Sequence, residues 1–305
     1  MIEFDHLCKE YDGVYAVNDL TAVIPSGEIF GLLGPNGAGK STTILMLIGL
    51  IEPTSGCCRI DGVEVASNPI SVKQKIGYMP EDVGFYPGLT AEENLAYFAR
   101  LFRMEPREYA RRIPDLLSLV GLDGVTKNVS GYSKGMRQRL GIANALLNDP
   151  SVIILDEPTA NLDPQGVADY RRIIAGVAGE GKTVFVSSHI LSEVSRVCSS
   201  GGLLLKGRLI AQGRWEEMSR QFRATAEHGF TIAVETRDPM PQFSFDDLVS
   251  AEFSSDRRMA TLHARSDISD SVIDDCNRAN VRLHGIRQEG MSLEELFLAY
   301  YQAEV

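Results

Sequence analysis

The chain has 305 residues, 44% hydrophobic and 23% charged, a balance typical of globular proteins and a length that accommodates about two domains. The formal net charge is −11, and an acidic chain without a basic segment is poorly suited to binding a phosphate backbone, so we expect no nucleic-acid partner. The N-terminal segment lacks the features of a signal peptide, and no apolar stretch approaches the ~20 residues that span a bilayer.

The first quarter of the chain predicts a strand, a loop and a helix in that order. Short apolar runs at residues 2–7 and 20–33 predict strands, and the second run leads into a glycine-rich loop. The apolar stretch at residues 42–50 predicts a helix that ends before Glu52-Pro53. A strand, a glycine loop and a helix in this order direct a helix N-terminus at a phosphate group.

The middle of the chain alternates helical and strand patterns. Residues 90–120 predict helical structure, with Thr90 and Glu93 at the spacing of a capping box, and residues 133–147 predict another helix. Continuous apolar runs are typical of buried parallel strands. Two such runs lie at residues 151–155 and 183–187, and each predicts a strand. A hairpin is predicted after them, at residues 203–210.

The pattern changes after about Trp215. We expect one domain over residues 1–214 and a small accessory α+β domain over residues 215–305. A final helix is predicted from Ser292, where Glu295 completes a second capping box. The other elements of this domain are strands at residues 230–235, 258–264 and 281–287 and a helix at residues 268–279.

The cysteines favour a reducing environment. Their number is odd, none has C-x-x-C spacing, and two are adjacent in the chain, a pattern that fits cytosolic thiols better than a disulfide framework. The five are Cys8, Cys57, Cys58, Cys198 and Cys276.

Residues 34–41, Gly-Pro-Asn-Gly-Ala-Gly-Lys-Ser, fit the phosphate-loop pattern G-x-x-x-x-G-K-[ST] at every position. Glycines allow successive backbone N–H groups to turn inward around an anion. Lys40 is then expected to reach the β- and γ-phosphates of a nucleotide, and the Ser41 hydroxyl to ligate Mg²⁺.

Two adjacent carboxylates, Asp156 and Glu157, end the predicted strand at residues 151–155. Acids at a strand end can take separate roles, with Asp156 in the Mg²⁺ shell and Glu157 orienting and deprotonating the attacking water. A solvated loop entry explains such a pair equally well when it stands alone. The phosphate loop upstream favours the catalytic interpretation.

Between these motifs, residues 130–140 read Ser-Gly-Tyr-Ser-Lys-Gly-Met-Arg-Gln-Arg-Leu and resemble the signature motif of ABC (ATP-binding cassette) ATPases in a variant form. In that family the motif caps the γ-phosphate of an ATP held by the opposite subunit. A helix N-terminus favours an anion, and a side chain at Gly135 would block its approach to Ser133 and the helix end.

The resemblance implies roles for further positions in order along the chain. Tyr11 resembles the aromatic residue that stacks on adenine, and His189 resembles the switch histidine that contacts the γ-phosphate. Asp163 lies in a segment similar to the loop that crosses the dimer interface. Glu81 stands where the family usually has Gln, which contacts Mg²⁺ and water and senses the membrane partner. A carboxylate can still accept from metal-bound water, but its charge should alter Mg²⁺ affinity and coupling.

The predicted site therefore has three groups of residues. The catalytic residues are Lys40, Glu157 and His189, and the Mg²⁺ ligands are Ser41, Glu81 and Asp156. The nucleotide-binding residues are Tyr11, Gly34, Pro35, Asn36, Gly37, Ala38, Gly39, Lys40, Ser41, Thr42, Ser133, Gly135 and Asp163.

The resemblance covers residues 2 to about 214 and implies an α/β phosphate-loop NTPase cassette, with a mixed or parallel sheet core, an antiparallel sheet and a helical subdomain at about residues 82–145. It further implies an ATP- and Mg²⁺-dependent ATPase that acts as a homodimer, or paired with another cassette, with composite ATP sites. The closing segment, residues 291–298, is similar to the end of single-cassette bacterial export ATPases. Such a subunit lies in the cytoplasm, on the inner face of the cell membrane, and powers a separate permease.

Two other functions compete with this one. A soluble ABC ATPase acting on ribosomes or DNA usually carries two cassettes or long coiled-coil insertions, and neither feature is present in the sequence. A regulatory module that binds nucleotide without turnover is disfavoured by the intact set of Lys40, Asp156, Glu157 and His189. The cargo is not encoded in this chain.

Overall fold

The computed structural model describes residues 1–159, 162, 164–218 and 230–289. The chain divides into two compact units, residues 1–213 and 214–305. In the described part of the chain no helix is long and apolar enough to cross a membrane. Two predicted features, residues 160, 161 and 163 of the interface loop and the final helix from Ser292, lie outside the described residues.

The first unit contains two sheets and a set of helices. Its described elements, in chain order, are β1 (Ile2–Tyr11), β2 (Val14–Ile24), β3 (Ile29–Leu33), α1 (Lys40–Leu47), β4 (Ser55–Ile60), β5 (Val63–Glu64), α2 (Pro69–Lys75), β6 (Ile76–Met79), α3 (Ala91–Leu101), α4 (Pro106–Leu119), α5 (Lys134–Ala145), β7 (Val152–Asp156), α6 (Pro164–Gly179), β8 (Thr183–Ser188), α7 (Leu191–Val194), β9 (Ser200–Leu205) and β10 (Arg208–Arg214).

The central sheet has six strands in the order β10-β9-β3-β8-β7-β6, and its strands from β9 to β6 run parallel. Every residue of β7 and β8 is buried, as the continuous apolar runs predict for parallel strands covered on both faces. The predicted hairpin is confirmed, because β9 and β10 are neighbours joined by Lys206 and Gly207, both with positive φ.

The parallel register brings three loops to one edge of this sheet. Leu33 at the end of β3 lies beside Ser188 of β8, and Asp156 at the end of β7 lies beside Ser187. Ligand sites of open α/β sheets form at the carboxyl ends of the strands. The glycine loop, the acidic pair and the segment before His189 therefore meet at a single place.

A second, four-stranded sheet has the order β2-β1-β4-β5, with β1 antiparallel to both of its neighbours. Its apolar side chains join those of α1 and the central sheet in one core, where the buried ring of Phe185 lies 6.2 Å from that of Phe4 and 5.8 Å from that of Phe30. The run predicted as one strand over residues 20–33 is two strands, because the chain turns between Ile24 and Ile29 with Gly27 at φ +78°.

The helical predictions hold with one subdivision. The capping box is present, since the Glu93 N–H donates to Thr90 Oγ1 at 3.2 Å and the Thr90 N–H donates to Glu93 Oε2 at 2.8 Å. Residues 90–120 form two helices, α3 and α4, because Arg103 is left-handed at φ +59° and Pro106 starts the second helix. The helix predicted at residues 42–50 begins earlier, at Lys40.

The described part of the second unit contains β11 (Phe230–Thr236), β12 (Leu248–Phe253), β13 (Met259–Ala264), α8 (Ser269–Arg278) and β14 (Leu283–Glu289). The strands form a sheet of order β12-β13-β11-β14 around a core that includes Ile232, Leu262 and Val272. Three strands and the helix were predicted. The sequence pattern missed β12, whose side chains alternate between half-buried and exposed without a regular apolar period.

Candidate nucleotide-binding site

The glycine loop connects β3 to α1 and has a conformation that only glycine adopts without strain at two positions. Gly37 has φ +81° and Gly39 has φ +106°. A Cβ atom on Gly39 would lie 2.3 Å from the carbonyl oxygen of Ala16, so the loop also packs too closely for a side chain. Gly39 is therefore required by both its backbone angle and its packing, and Gly37 by its backbone angle alone.

Lys40, the first residue of α1, points back into this loop and is only 6% exposed. Its ammonium group donates to the carbonyl oxygens of Gly34 at 2.8 Å and Pro35 at 3.2 Å. It also forms an ion pair with Glu157, with Nζ 3.3 Å from Oε1. A buried ammonium needs such partners. The lysine is thus fixed between the loop and the acidic pair.

Glu157 is held from its other side by His189. The Nδ1 atom of His189 lies 2.8 Å from Glu157 Oε2, and the His189 backbone N–H donates to the same oxygen at 3.3 Å. Glu157 is buried and has φ +47°, a left-handed conformation that costs a non-glycine residue about 1–2 kcal/mol. Its backbone N–H donates to both oxygens of Ser187, which keeps the residue in this conformation.

Asp156 lies beneath this pair with little access to solvent. Its Oδ1 atom accepts a 2.5 Å hydrogen bond from the Ser187 hydroxyl. Burial raises the pKa of Asp156, and hydrogen bonds from Ser187 and Ser41 act in the opposite direction. Burial, together with the nearby charge of Asp156, raises the pKa of Tyr78 to about 12. A buried carboxylate of this kind is a suitable partner for a cation.

The donor set suits Mg²⁺. Ser41, Asp156 and Glu81 offer only oxygen atoms, which Mg²⁺ prefers. Among the described residues, no group of three His, Cys, Asp or Glu side chains is arranged to hold a metal ion by itself. Ser41 also donates a hydrogen bond to Asp156, so two of these oxygen donors lie together, and proteins usually hold Mg²⁺ with one or two side chains while substrate phosphates and water supply the remaining ligands.

These side chains surround an open cleft of about 410 Å³. The cleft collects most of the predicted catalytic and phosphate-binding residues, together with Glu81, a predicted metal ligand. Its lining is formed by Ala16, Asn36, Gly37, Gly39, Lys40, Ser41, Thr42, Glu81, Glu157 and His189.

Other predicted residues lie elsewhere. Tyr11 is 47% exposed at the end of β1, where the Lys9 ammonium lies 5.1 Å from its ring centroid, and it does not line this cleft. Ser133 and Gly135, at the start of α5, line a separate cavity of about 330 Å³. Asp163 lies outside the described residues. A single chain therefore does not bring the signature residues to the phosphate loop.

Two residues of the site were not predicted from the sequence. Ala16 touches the glycine loop through its backbone, which no side-chain pattern reveals. Ser187 contacts both acids, and its signal is a polar residue at the end of an apolar run. That signal acquires meaning only once β8 is known to lie beside β7.

The chain resembles known proteins over most of its length. Residues 17–160 match the ABC transporter family model. The chain is 41% identical to the bacitracin transport ATP-binding protein BcrA of Bacillus licheniformis, over 74% of this chain and 74% of that protein. It is 31% identical to the linearmycin resistance ATP-binding protein LnrL of Bacillus subtilis strain 168, over 98% of this chain and 97% of that protein.

A solved structure is similar as well. The ATP-binding cassette MJ0796, described as a dimeric post-hydrolysis state bound to ADP and Pi, superposes with a TM-score of 0.64 at 26% identity, covering 70% of this chain and 98% of that one. The fold and the cleft thus define a phosphate-loop ATPase. The chain belongs to the ABC transporter family as an ATP-binding protein. This membership confirms the predicted α/β cassette fold and the predicted ATPase activity.

Proposed function

We propose that two copies of this chain bind ATP between them, head to tail, and that hydrolysis drives export through a separate membrane permease. The observation that carries the proposal is the convergence of Lys40, Glu157 and His189, from three different segments, in one cleft at the end of the sheet. In this proposal Lys40 binds the phosphates, and Glu157 orients and deprotonates the attacking water.

The position of the signature residues supports a site shared between two copies. The Ser133 hydroxyl caps α5 by accepting from the Met136 N–H at 3.2 Å, which leaves an exposed helix N-terminus suited to an anion. A Cβ atom on Gly135 would meet its nearest described neighbour, Leu162, at an ordinary 3.6 Å. The fold of this chain therefore tolerates a side chain there. Gly135 leaves room for an ATP bound by the partner copy. The exposed Tyr11 ring would stack on the adenine of the ATP bound by its own copy.

Hydrolysis requires a base, a positioned water and a stabilised phosphate. Glu157 accepts the proton of the attacking water as the water oxygen bonds to the γ-phosphorus and the bond to the leaving oxygen of ADP breaks. His189 orients Glu157 through the contact at 2.8 Å. The Lys40 ammonium exchanges its ion-pair partner, from Glu157 Oε1 to the γ-phosphate, and the Glu157 carboxylate becomes available to the water. Loss of phosphate then removes the bridge between the copies.

Ser41 and Asp156 would hold Mg²⁺, and Glu81, in the cleft wall, would accept from water in its shell. When bound, Mg²⁺ neutralises charge on the β- and γ-phosphates. The carboxylate of Glu81 adds a negative charge where the family usually has a neutral amide, so we expect a stronger dependence on the metal.

The permease docks, in this proposal, on an aromatic cluster that follows Glu81 in the chain. The rings of Tyr86 and Tyr97 lie 4.8 Å apart and those of Phe85 and Phe98 lie 6.1 Å apart. Beside them in sequence, at the end of α3, lie two exposed apolar side chains, Leu101 and Phe102. Exposed apolar patches of this kind mark protein or membrane contacts. The relatives named for bacitracin transport and linearmycin resistance favour export as the direction.

Sedimentation velocity tests the dimer. Glu157→Gln with Mg·ATP should sediment as a dimer and return to monomer when nucleotide is removed, because the bridge forms and is not cleaved. A monomer under both conditions would contradict the proposal.

Purification of the intact complex from membranes tests the transport function. A companion protein with multiple membrane spans is the expected result. Recovery of ribosomes or DNA instead would favour a soluble ABC ATPase.

A further inference from the structure

The fully buried hydroxyl of Ser187 connects the two acids of the site. Ser187 lies beside Asp156 in the parallel register of β8 and β7, and neither its side chain nor its backbone is accessible to solvent. Its Oγ atom donates to Asp156 Oδ1 at 2.5 Å and accepts from the Glu157 backbone N–H at 3.0 Å. One hydroxyl thus contacts both residues to which the mechanism assigns a separate role.

The chemistry of the groups fixes the direction of both bonds. A backbone N–H can only donate, so the Ser187 oxygen must accept from Glu157. The single hydroxyl proton is then available for Asp156, whose Oδ1 atom accepts it as a carboxylate oxygen. The bond holds the orientation of the Asp156 carboxylate, which also accepts a hydrogen bond from Ser41, another predicted Mg²⁺ ligand.

The same hydroxyl supports the unusual backbone of Glu157. That residue is left-handed at φ +47°, and strained backbone persists at functional sites only where the surroundings fix it. The Glu157 N–H shares its hydrogen bond between the Ser187 carbonyl oxygen at 3.2 Å and the hydroxyl. The left-handed turn directs the Glu157 carboxylate to His189 and Lys40.

We propose that Ser187 is a positioning residue of the ATPase, which sets the orientation of both the metal-binding Asp156 and the base Glu157 through one hydroxyl. This inference rests on the proposed function of the two acids. Ser187 is fully buried and contacts the two acids, not nucleotide or metal. Its effect reaches the reaction only through the carboxylates.

Ser187→Ala removes the hydroxyl while the bond from the Glu157 N–H to the carbonyl oxygen of residue 187 remains. Thr183→Val is the matched control, because Thr183 is a buried residue of the same strand whose hydroxyl also accepts one backbone N–H, that of Gly27 at 3.0 Å. Ser187→Thr retains the hydroxyl. The full-length chain is used for all three variants.

Two quantities are measured for each variant. One is kcat for ATP at saturating Mg²⁺. The other is the ratio of dissociation constants for a non-hydrolysable ATP analogue in EDTA and in Mg²⁺, which reports the metal contribution without turnover. We expect Ser187→Ala to lower both kcat and this ratio by about 10-fold or more, with affinity in EDTA unchanged. Ser187→Thr and Thr183→Val should stay within about threefold of the parent.

Ser187→Ala within about threefold of an active parent in both quantities would overturn the inference. So would an equal loss in Ser187→Thr or Thr183→Val, because the loss would then not follow the hydroxyl. A parent that binds no analogue and hydrolyses no ATP would instead overturn the proposed function, and this inference with it.

Discussion

Replacing Glu157 by Gln should have two opposite effects on nucleotide chemistry. The amide cannot accept the proton of the attacking water, so we expect turnover to fall by about 10²–10⁴-fold. The affinity for ATP should rise, because the carboxylate competes with the γ-phosphate for the Lys40 ammonium, 3.3 Å from its Oε1 atom. The increase is measurable because both side chains are nearly excluded from solvent.

The size of the second effect follows from the contact. A hydrogen bond to a charged group contributes about 1.5–3 kcal/mol. A neutral acceptor retains about half of that strength. Glu157→Gln therefore weakens the hold on Lys40 by roughly 1 kcal/mol. Since 1.4 kcal/mol corresponds to a factor of ten, ATP should bind about fivefold more tightly.

Equilibrium titration in EDTA measures this affinity without turnover or metal. Glu81→Gln is the matched control, because it removes the same charge from an exposed position in the same cleft, with no ion pair among the described residues. Its affinity should change by less than about twofold, as expected for a screened charge. Parental turnover in Glu157→Gln, or weaker ATP binding, would refute the assignment of Glu157 as base and competitor.

Three further predictions concern the loop, a charge network and the permease surface. Gly39→Ala should lower the free energy of unfolding by about 2–4 kcal/mol in urea titrations, because left-handed strain adds to the clash with the Ala16 carbonyl oxygen. Gly37→Ala is the control without a described neighbour within 4 Å and should lower it by only about 1–2 kcal/mol. Hydrogen bonds from Lys182 first, and from Arg112, hold the pKa of Asp149 below its ordinary value against desolvation. Asp149 is largely exposed, so Asp149→Asn should lower the free energy of unfolding by no more than about 1 kcal/mol near neutral pH. Melting curves should show this difference vanishing as the pH falls through the depressed pKa of Asp149. Leu101→Asp should abolish copurification with the permease at unchanged basal ATPase rate, while Ile70→Asp, at an even more exposed apolar position on α2, should retain it.

The sign of the pH effect is fixed by the direction of the shift. The Asp149 carboxyl has a lower pKa in the folded chain than in the unfolded chain, so its ionised form stabilises the fold above the unfolded pKa. Protonation below the folded value removes that contribution. Asn is a suitable replacement because it tolerates the left-handed φ of +52° at this position. A difference that persists at low pH would show that the amide perturbs packing rather than charge.

Local chemistry made much of the site predictable from sequence. The glycine loop is recognisable because all of its motif residues lie in one uninterrupted segment. The structure requires glycine at position 39 for both backbone and packing reasons. Asp156 and Glu157 follow an apolar run that is fully buried in the sheet. Their assignment depended on the motif upstream, and the contact of Glu157 with Lys40 could not be read from the chain.

Other features depend on contacts between distant segments. The bond from Ser187 to Asp156 requires the register of two strands 31 residues apart, and a serine at the end of a strand is otherwise unremarkable in sequence. The helix break after α3 depends on a left-handed Arg103, which composition does not predict. The edge strand β12 was missed because its residues are half exposed and carry no period. Tertiary placement, not local propensity, decides the Ser187 contact and the pairing of β12.

The central claim is that each ATP contacts the phosphate loop of one copy and the signature helix of the other. Lys40→Ala disables the loop, and Gly135→Asp obstructs the helix end with a side chain that the fold of its own chain accommodates. Each variant alone should hydrolyse no ATP. Mixed dimers restore one intact site, so combining the two inactive proteins should recover ATPase activity. A mixture as inactive as its components would contradict the shared site.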